Sequence, residues 1–318
     1  MSIPTSPELP LALIAGPTAS GKSAVAIALA QRLATDRRHA VIINADSAQV
    51  YADLAVLSAR PTPEEMAGIE HCLFGAWDGA EVCSAAAWAT RAKAEIANAH
   101  AEGAVPILVG GTGLYLKVLL EGIAPIPEID PAVRTAVRAL DEEAAYNLLT
   151  IEDPERAADL APGDRQRIAR ALEVKRSTGV TLGDWQLAKA GGIAEEVTLH
   201  PLIIEPDRPW VYARCDARFA AMLDAGAIEE VEALLARGLD PDLPVMRAIG
   251  VPEIAAYLAG RISGETMVSA AQQATRNYAK RQFTWFRRQP PAEWPRVHPD
   301  WEQENIDIDA IFVSLLRL

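Results

Sequence analysis

Four short apolar runs stand out along the chain: "LALIA" (11–15), "AVIINA" (40–45), "PILVG" (106–110) and "PLIIE" (201–205). Each is too short for a helix and is bounded by turn-forming residues, the pattern of a strand buried on both faces. Between the first three runs the apolar residues recur at helical spacing, so strand and helix alternate. That alternation predicts an α/β fold with a parallel sheet flanked by helices and a ligand crevice at the carboxyl ends of its strands. The glycine-rich turns fall at those ends.

The pattern changes after residue 122. Two turns rich in proline and acidic residues, "GIAPIPEIDP" and "IEDPERAADLAPGD", bracket helical stretches at 133–149 and 165–178. The predicted organisation is a first part of the core over 1–122, a mostly helical insertion domain over 123–198, and a return to the core with C-terminal helices over 199–318. In the last part, Phe219, Met222, Leu223, Ile228, Val231, Leu234 and Leu235 keep near-helical spacing, which predicts one helix over 213–237. A further helix is predicted over 265–288.

Composition narrows the class. Half of the 318 residues are hydrophobic and 23% are charged, enough apolar material for a full core. The net charge of −13 argues against a surface that embraces nucleic acid on all sides, though a local basic face remains open. Three separated cysteines give neither a disulfide framework nor a zinc spacing. The N-terminal stretch lacks the basic and apolar regions of a leader, and no run approaches the ~18 apolar residues that span a bilayer. A cytoplasmic monomer without membrane contact is expected.

Gly16, Pro17, Thr18, Ala19, Ser20, Gly21, Lys22 and Ser23 match G-x-x-x-x-G-K-[ST] between a predicted strand and a predicted helix, as the phosphate-loop mechanism requires. Backbone N–H groups there form an anion nest, Lys22 adds a charge, and the Ser23 hydroxyl suits Mg²⁺. Such a loop reports a diphosphate or triphosphate, and leaves kinase, hydrolase and diphosphate-releasing transferase open. No N-K-x-D tetrapeptide for guanine occurs.

Past the second run, "INADSAQVY" places Asp46, Ser47 and Gln49 toward the same crevice. A carboxylate there holds Mg²⁺ through water, accepts a proton from a nucleophile, or simply caps a following helix; the residues alone leave all three open. "VGGTGLYLK" brings Thr112 and a glycine-rich turn to the next strand end.

Together "GPTASGKS", "INADSAQVY" and "VPILVGGTGLYLK" resemble the tRNA dimethylallyltransferases, also called tRNA isopentenyltransferases. The resemblance continues through "GDRQRIARALEV", "YARCDARFAAML", "MRAIG" and "YAKRQFTWFRR", from residue 11 to about residue 290. It implies a P-loop NTPase-like core and transfer of a dimethylallyl group from dimethylallyl diphosphate to N6 of the adenosine at tRNA position 37, with diphosphate leaving and Mg²⁺ as cofactor. It also implies Asp46 as the base, Arg214 on the diphosphate, Thr112 near the reacting groups, and Ser47 and Gln49 on a flipped-out base. Arg165, Gln166, Arg167 and Arg170 are expected on RNA, with internal ion pairs as the alternative. Arg276, Lys280, Arg281 and Arg287 are expected on phosphates, while Tyr278 and Trp285 either stack on RNA or pack in the core.

The chain departs from the family pattern at Ala48, at Cys83 where tyrosine is usual, at Arg60 where lysine is usual, and over Val251, Pro252 and Glu253, with Pro252 standing where a cation is usual. Competing readings are an adenylate isopentenyltransferase acting on a free nucleotide, a small-molecule kinase, and an RNA-binding protein with a relic loop.

Overall fold

The computed structural model describes residues 9–299 and 306–317. The expectation that the N-terminus carries no leader falls largely outside these residues. The chain divides into two compact units, one built from the described residues of 1–119 and 194–318, the other from 120–193.

In the larger unit the apolar runs form strands. β1 (Pro10–Ala15), β2 (Ala40–Asn44), β3 (Glu70–Cys72) and β4 (Val105–Gly110) belong to one sheet. Helices α1 (Lys22–Thr35), α2 (Ala85–Ala101) and α3 (Gly113–Glu121) connect or follow them. In the smaller unit β5 (Gly122–Ile123) pairs antiparallel with β6 (Ala190–Gly191), drawing its two chain ends together. Between these lie α4 (Pro131–Arg138), α5 (Glu142–Glu152), α6 (Pro154–Asp159), α7 (Arg165–Thr178) and α8 (Leu182–Leu187). The larger unit resumes with β7 (Thr198–Ile204), α9 (Arg208–Asp224), α10 (Ala227–Ala236), α11 (Val251–Leu258), α12 (Gly264–Arg288), β8 (Arg296–Val297), α13 (Ile308–Ile311) and α14 (Val313–Leu316).

The six-stranded sheet runs β3-β2-β4-β1-β7-β8 with every pairing parallel. β1 is central and its residues Leu11 to Ala15 are wholly buried, which is why its sequence is a continuous apolar run. Each such Leu or Ile side chain contributes about 2 kcal/mol on burial. With β1 between β4 and β7, and β2 beyond β4, the turns after β1, β2 and β4 open at one edge of the sheet. Those three turns carry the phosphate loop, Asp46 and Thr112.

Two predicted helices are broken. The stretch 133–149 is split because Asp141 accepts the Ala144 N–H at 2.8 Å and starts a new helix. The stretch 213–237 is split at Gly226, whose φ of 96° lies in the left-handed region that ends a helix. Strands β3 and β8 are too short to leave an apolar run. Among the described residues no helix is long and apolar enough to cross a membrane.

The smaller unit has its own core of Val137, Leu149, Ala157, Leu160, Ile168 and Leu172. Asp130, Asp141, Asp153, Asp164 and Thr181 accept first-turn N–H groups of the helices that follow them. The acid-rich turns of the sequence are therefore helix caps.

Candidate active site

A cleft of about 640 Å³ opens at the carboxyl ends of the strands in the larger unit. The phosphate loop forms one wall, Asp46 to Gln49 another, and α9, α12, the loop 54–59 and residues 244–249 much of the remainder.

In the loop, Ala19 (φ 61°) and Gly21 (φ 91°) adopt left-handed conformations, which turn successive N–H groups toward one concavity. Gly21 precedes α1 without a side-chain cap, leaving the first-turn donors of that helix for an anion. Ser20 is fully buried and its hydroxyl has no partner, a polar atom suited to a phosphate oxygen. Lys22 is 8% exposed and donates to the Pro17 carbonyl at 2.7 Å. Burial lowers its pKa to about 8, assisted by the Arg218 charge and opposed by Asp46 and Cys215.

Asp46 is held by the residue two positions before it. Buried Asn44 accepts the Asp46 N–H at 2.8 Å and donates to the carbonyls of Asp46 and Leu73 at 3.0 and 3.1 Å. One Asp46 oxygen accepts the Ala48 N–H at 3.0 Å. The capping alternative is thus modified: the carboxylate closes a turn, not a helix, and still lines the cleft. The Thr112 hydroxyl accepts the Ser47 N–H at 2.8 Å and donates to the Ser47 hydroxyl at 3.1 Å, tying the second strand end to the fourth. The Tyr278 side chain lines the cleft near Thr112 and Ser47, and burial pushes its pKa up. Tyr278 therefore faces the cleft, whereas Trp285 lies against Gly113, so close that a Cβ there would come within 2.2 Å of its ring.

Gln49 spends its amide donors on the carbonyls of Ser58 and Ala59 at 3.1 and 2.8 Å. That loop is gripped from α10, where the Glu230 carboxylate accepts three consecutive backbone N–H groups, of Ala55 (2.6 Å), Val56 (2.9 Å) and Leu57 (2.8 Å). Arg237 bridges Asp53 and Asp78 beside it.

On α9 the structure brings forward a residue that sequence reasoning missed. Arg218 donates to the Thr18 hydroxyl at 2.6 Å, and burial lowers its pKa. Arg214, singled out from the sequence, is exposed on the same helix at the cleft margin, its guanidinium 4.7 Å from the Trp210 ring centroid. The signal was present: Arg218 lies three residues after Cys215 and four before Met222, on the inward stripe of the helix.

The basic residues are divided. Arg276 is bound to both carboxylate oxygens of Asp216 at 2.6 and 2.7 Å, joining α12 to α9, while Lys280, Arg281 and Arg287 are exposed and Arg281 borders the cleft. In the smaller unit Arg165, Gln166 and Arg167 are exposed and Arg170 half-buried on α7. Their guanidiniums lie 3.9, 3.4 and 4.0 Å from Glu142, Asp164 and Glu173, so solvent exposure and internal pairing occur together. The two exposed pairs, with Glu142 and Asp164, contribute about 0–1 kcal/mol each, whereas Glu173 is buried.

The divergent positions have local explanations. Pro252 sits in the first turn of α11, and Glu253 accepts the Gly250 N–H at 3.0 Å, so "GVPE" is a helix start. Arg60 turns back to the Tyr51 carbonyl at 3.4 Å. Cys83 borders the cleft, its sulfur 3.4 Å from the Tyr115 hydroxyl and its N–H donating to the Tyr51 hydroxyl.

Among the described residues no group of three or more His, Cys, Asp or Glu side chains is placed to cage a metal. The Ser23 hydroxyl supplies a hard oxygen donor near the anion nest. That donor fits Mg²⁺, which keeps much of its water and is completed by phosphate oxygens.

Residues 49–289 match the family model for IPP transferase. The tRNA dimethylallyltransferase of Erythrobacter litoralis is 65% identical over 95% of this chain and 96% of its own length. That of Zymomonas mobilis is 52% identical over 98% of each. The crystal structure of the full-length tRNA isopentenylpyrophosphate transferase from Bacillus halodurans superimposes with a TM-score of 0.69 at 30% identity, covering 98% of this chain and 97% of that one. A eukaryotic dimethylallyltransferase acting on tRNA gives a TM-score of 0.73 at 27% identity over 87% of this chain and 69% of that one.

Proposed function

The chain belongs to the IPP transferase family, and on that premise we propose that it moves the dimethylallyl group of dimethylallyl diphosphate onto N6 of the adenosine at tRNA position 37. The observation that carries the reading is the shared cleft: an anion nest with Lys22 and Arg218 on one wall, and an anchored carboxylate, Asp46, on another.

The allylic C–O bond breaks as a C–N bond forms at N6. The departing diphosphate gains negative charge, which the loop amides, Lys22 and Arg218 stabilise more strongly than the ground state. The adenine amine is a poor nucleophile because its lone pair is delocalised, and Asp46 takes its proton as the new bond forms. Thr112 fixes the Asp46–Ser47 turn through Ser47. Ser23 would hold Mg²⁺, which when bound neutralises charge on the diphosphate, and Asp46 is left free to act as the base. The apolar side chains Phe219 and Met222 line the same cleft and suit a five-carbon chain. A base inside a tRNA loop must be extruded to reach Asp46, and the exposed Arg281, which lines the cleft, suits its flanking phosphates. A monomer in the cytoplasm is the simplest setting for this substrate.

The test is incubation with unmodified tRNA, Mg²⁺ and dimethylallyl diphosphate, with AMP as a parallel acceptor and ATP as a parallel donor, followed by nucleoside mass spectrometry. A five-carbon adduct on tRNA adenosine alone is expected. An adduct on AMP would reassign the chain to free-nucleotide prenylation, and phosphoryl transfer from ATP would make it a kinase.

A further inference from the structure

Helix α12 turns two polar side chains, one helical turn apart, into the larger unit: Tyr278 and Gln282. Gln282 is 4% exposed. Its carboxamide works in both directions, Oε1 accepting the Thr18 backbone N–H at 2.8 Å and Nε2 donating to the Gly111 carbonyl at 2.9 Å. Tyr278 lies near Thr112 and Ser47. One face of one helix therefore holds the turns that follow β1 and β4, and Thr112, next to Gly111, ties the latter to the turn after β2.

Gln282 does not itself line the cleft. What it holds is the residue just before the strained part of the phosphate loop. Ala19 is a non-glycine residue at φ 61°, an unfavourable conformation that needs support from its surroundings. Turning several N–H dipoles toward one point adds repulsion that the loop cannot relieve alone. Thr18 is gripped at two atoms, its hydroxyl by Arg218 and its N–H by Gln282. Arg218 borders the cleft and is engaged by whatever anion enters; Gln282 stays outside and its grip is independent of substrate.

We propose that Gln282 is a positioning residue that keeps the phosphate loop shaped for a diphosphate and in fixed register with the Asp46 turn before either substrate arrives. The inference rests on the prenyl-transfer reading above. Only a carboxamide suits the position: a carboxylate has no donor for the Gly111 carbonyl, and a hydrocarbon serves neither partner. A buried N–H and a buried carbonyl would then be left unpaired.

Two variants of the full chain test it. Gln282→Met keeps a similar volume and removes both hydrogen bonds; Gln282→Glu keeps the acceptor and sets an oxygen against the Gly111 carbonyl. Inorganic pyrophosphate with Mg²⁺ is the binding probe, alongside thermal melting and steady-state kinetics with dimethylallyl diphosphate and tRNA. Both variants are expected to lose roughly tenfold in pyrophosphate affinity and in kcat, while KM for tRNA changes by less than about twofold. A Gln282→Met protein that binds pyrophosphate as the wild type does overturns the proposal. So does a variant in which pyrophosphate and tRNA affinity fall together in step with the melting temperature. A wild-type chain that binds pyrophosphate but never prenylates tRNA would remove the reaction reading, and the pyrophosphate affinities of the variants would still decide the role of Gln282.

Discussion

The phosphate loop takes most of its shape from its own stretch, Gly16 to Ser23, with Arg218 and Gln282 as anchors on Thr18. The Asp46 wall closes its turn locally through Asn44 and Ala48 but is also held from elsewhere, by Thr112 on Ser47 and by Glu230 on the loop that Gln49 grips. An anion nest is a local backbone device, since amides close in sequence converge on one point. A nucleophile's base must be aimed at an atom of a large acceptor, and that aim has to come from elements distant in the chain. Donor binding should therefore respond to changes in a few neighbouring residues, and acceptor geometry to changes spread over the unit.

Asp46→Asn tests the separation most severely. It preserves shape but not basicity, and single-turnover prenylation should fall by roughly 10² to 10⁴ with tRNA affinity nearly intact. An unchanged rate would dismiss Asp46 as the base. Next, Arg218→Gln should lower kcat/KM for dimethylallyl diphosphate by roughly 10² to 10³, against less than about threefold for Arg214→Gln. The reverse order would return the diphosphate role to Arg214.

The donor wall also has a pH signature. Burial lowers the Lys22 pKa to about 8, and an anion favours the charged lysine, so donor binding raises that pKa. Affinity for pyrophosphate should be full below about pH 8 and weaken by up to about tenfold per unit above it, until the bound-state pKa is passed. Titration calorimetry between pH 7 and 9.5 checks this, and a flat profile would mean that Lys22 is charged throughout. The smallest expected effect belongs to the acceptor wall. Glu230→Ala leaves three loop N–H groups without their carboxylate and should raise KM for tRNA by roughly tenfold, with pyrophosphate affinity unchanged. Loss of both affinities together would show that the two walls are not separable.

Much of the donor wall was legible in the sequence because its parts are contiguous and their pattern has one mechanism. The choice between Arg214 and Arg218 was not: both lie in "YARCDARF", and only the packing of Cys215, Phe219 and Met222 shows which guanidinium turns inward. Arg276 read as a phosphate contact by its spacing, and lies against Asp216, a residue sixty positions away. Glu230 lies in no quoted motif, and Gln282 lies inside "YAKRQFTWFRR" without being singled out there, because a positioning residue is defined by what it touches.

By itself the sequence determined the parallel α/β core, through apolar runs that must be buried on both faces, and the phosphate loop, through glycine and lysine spacing that few other turns satisfy. It also carried the motifs by which the chain is placed in its family. The tertiary structure alone decided how those motifs meet: which arginine reaches Thr18, which helix face locks the turns after β1 and β4, and which carboxylate clamps the loop beside Gln49. Local patterns report backbone preference and burial, whereas the aim of a side chain is set by neighbours that the chain brings together only on folding.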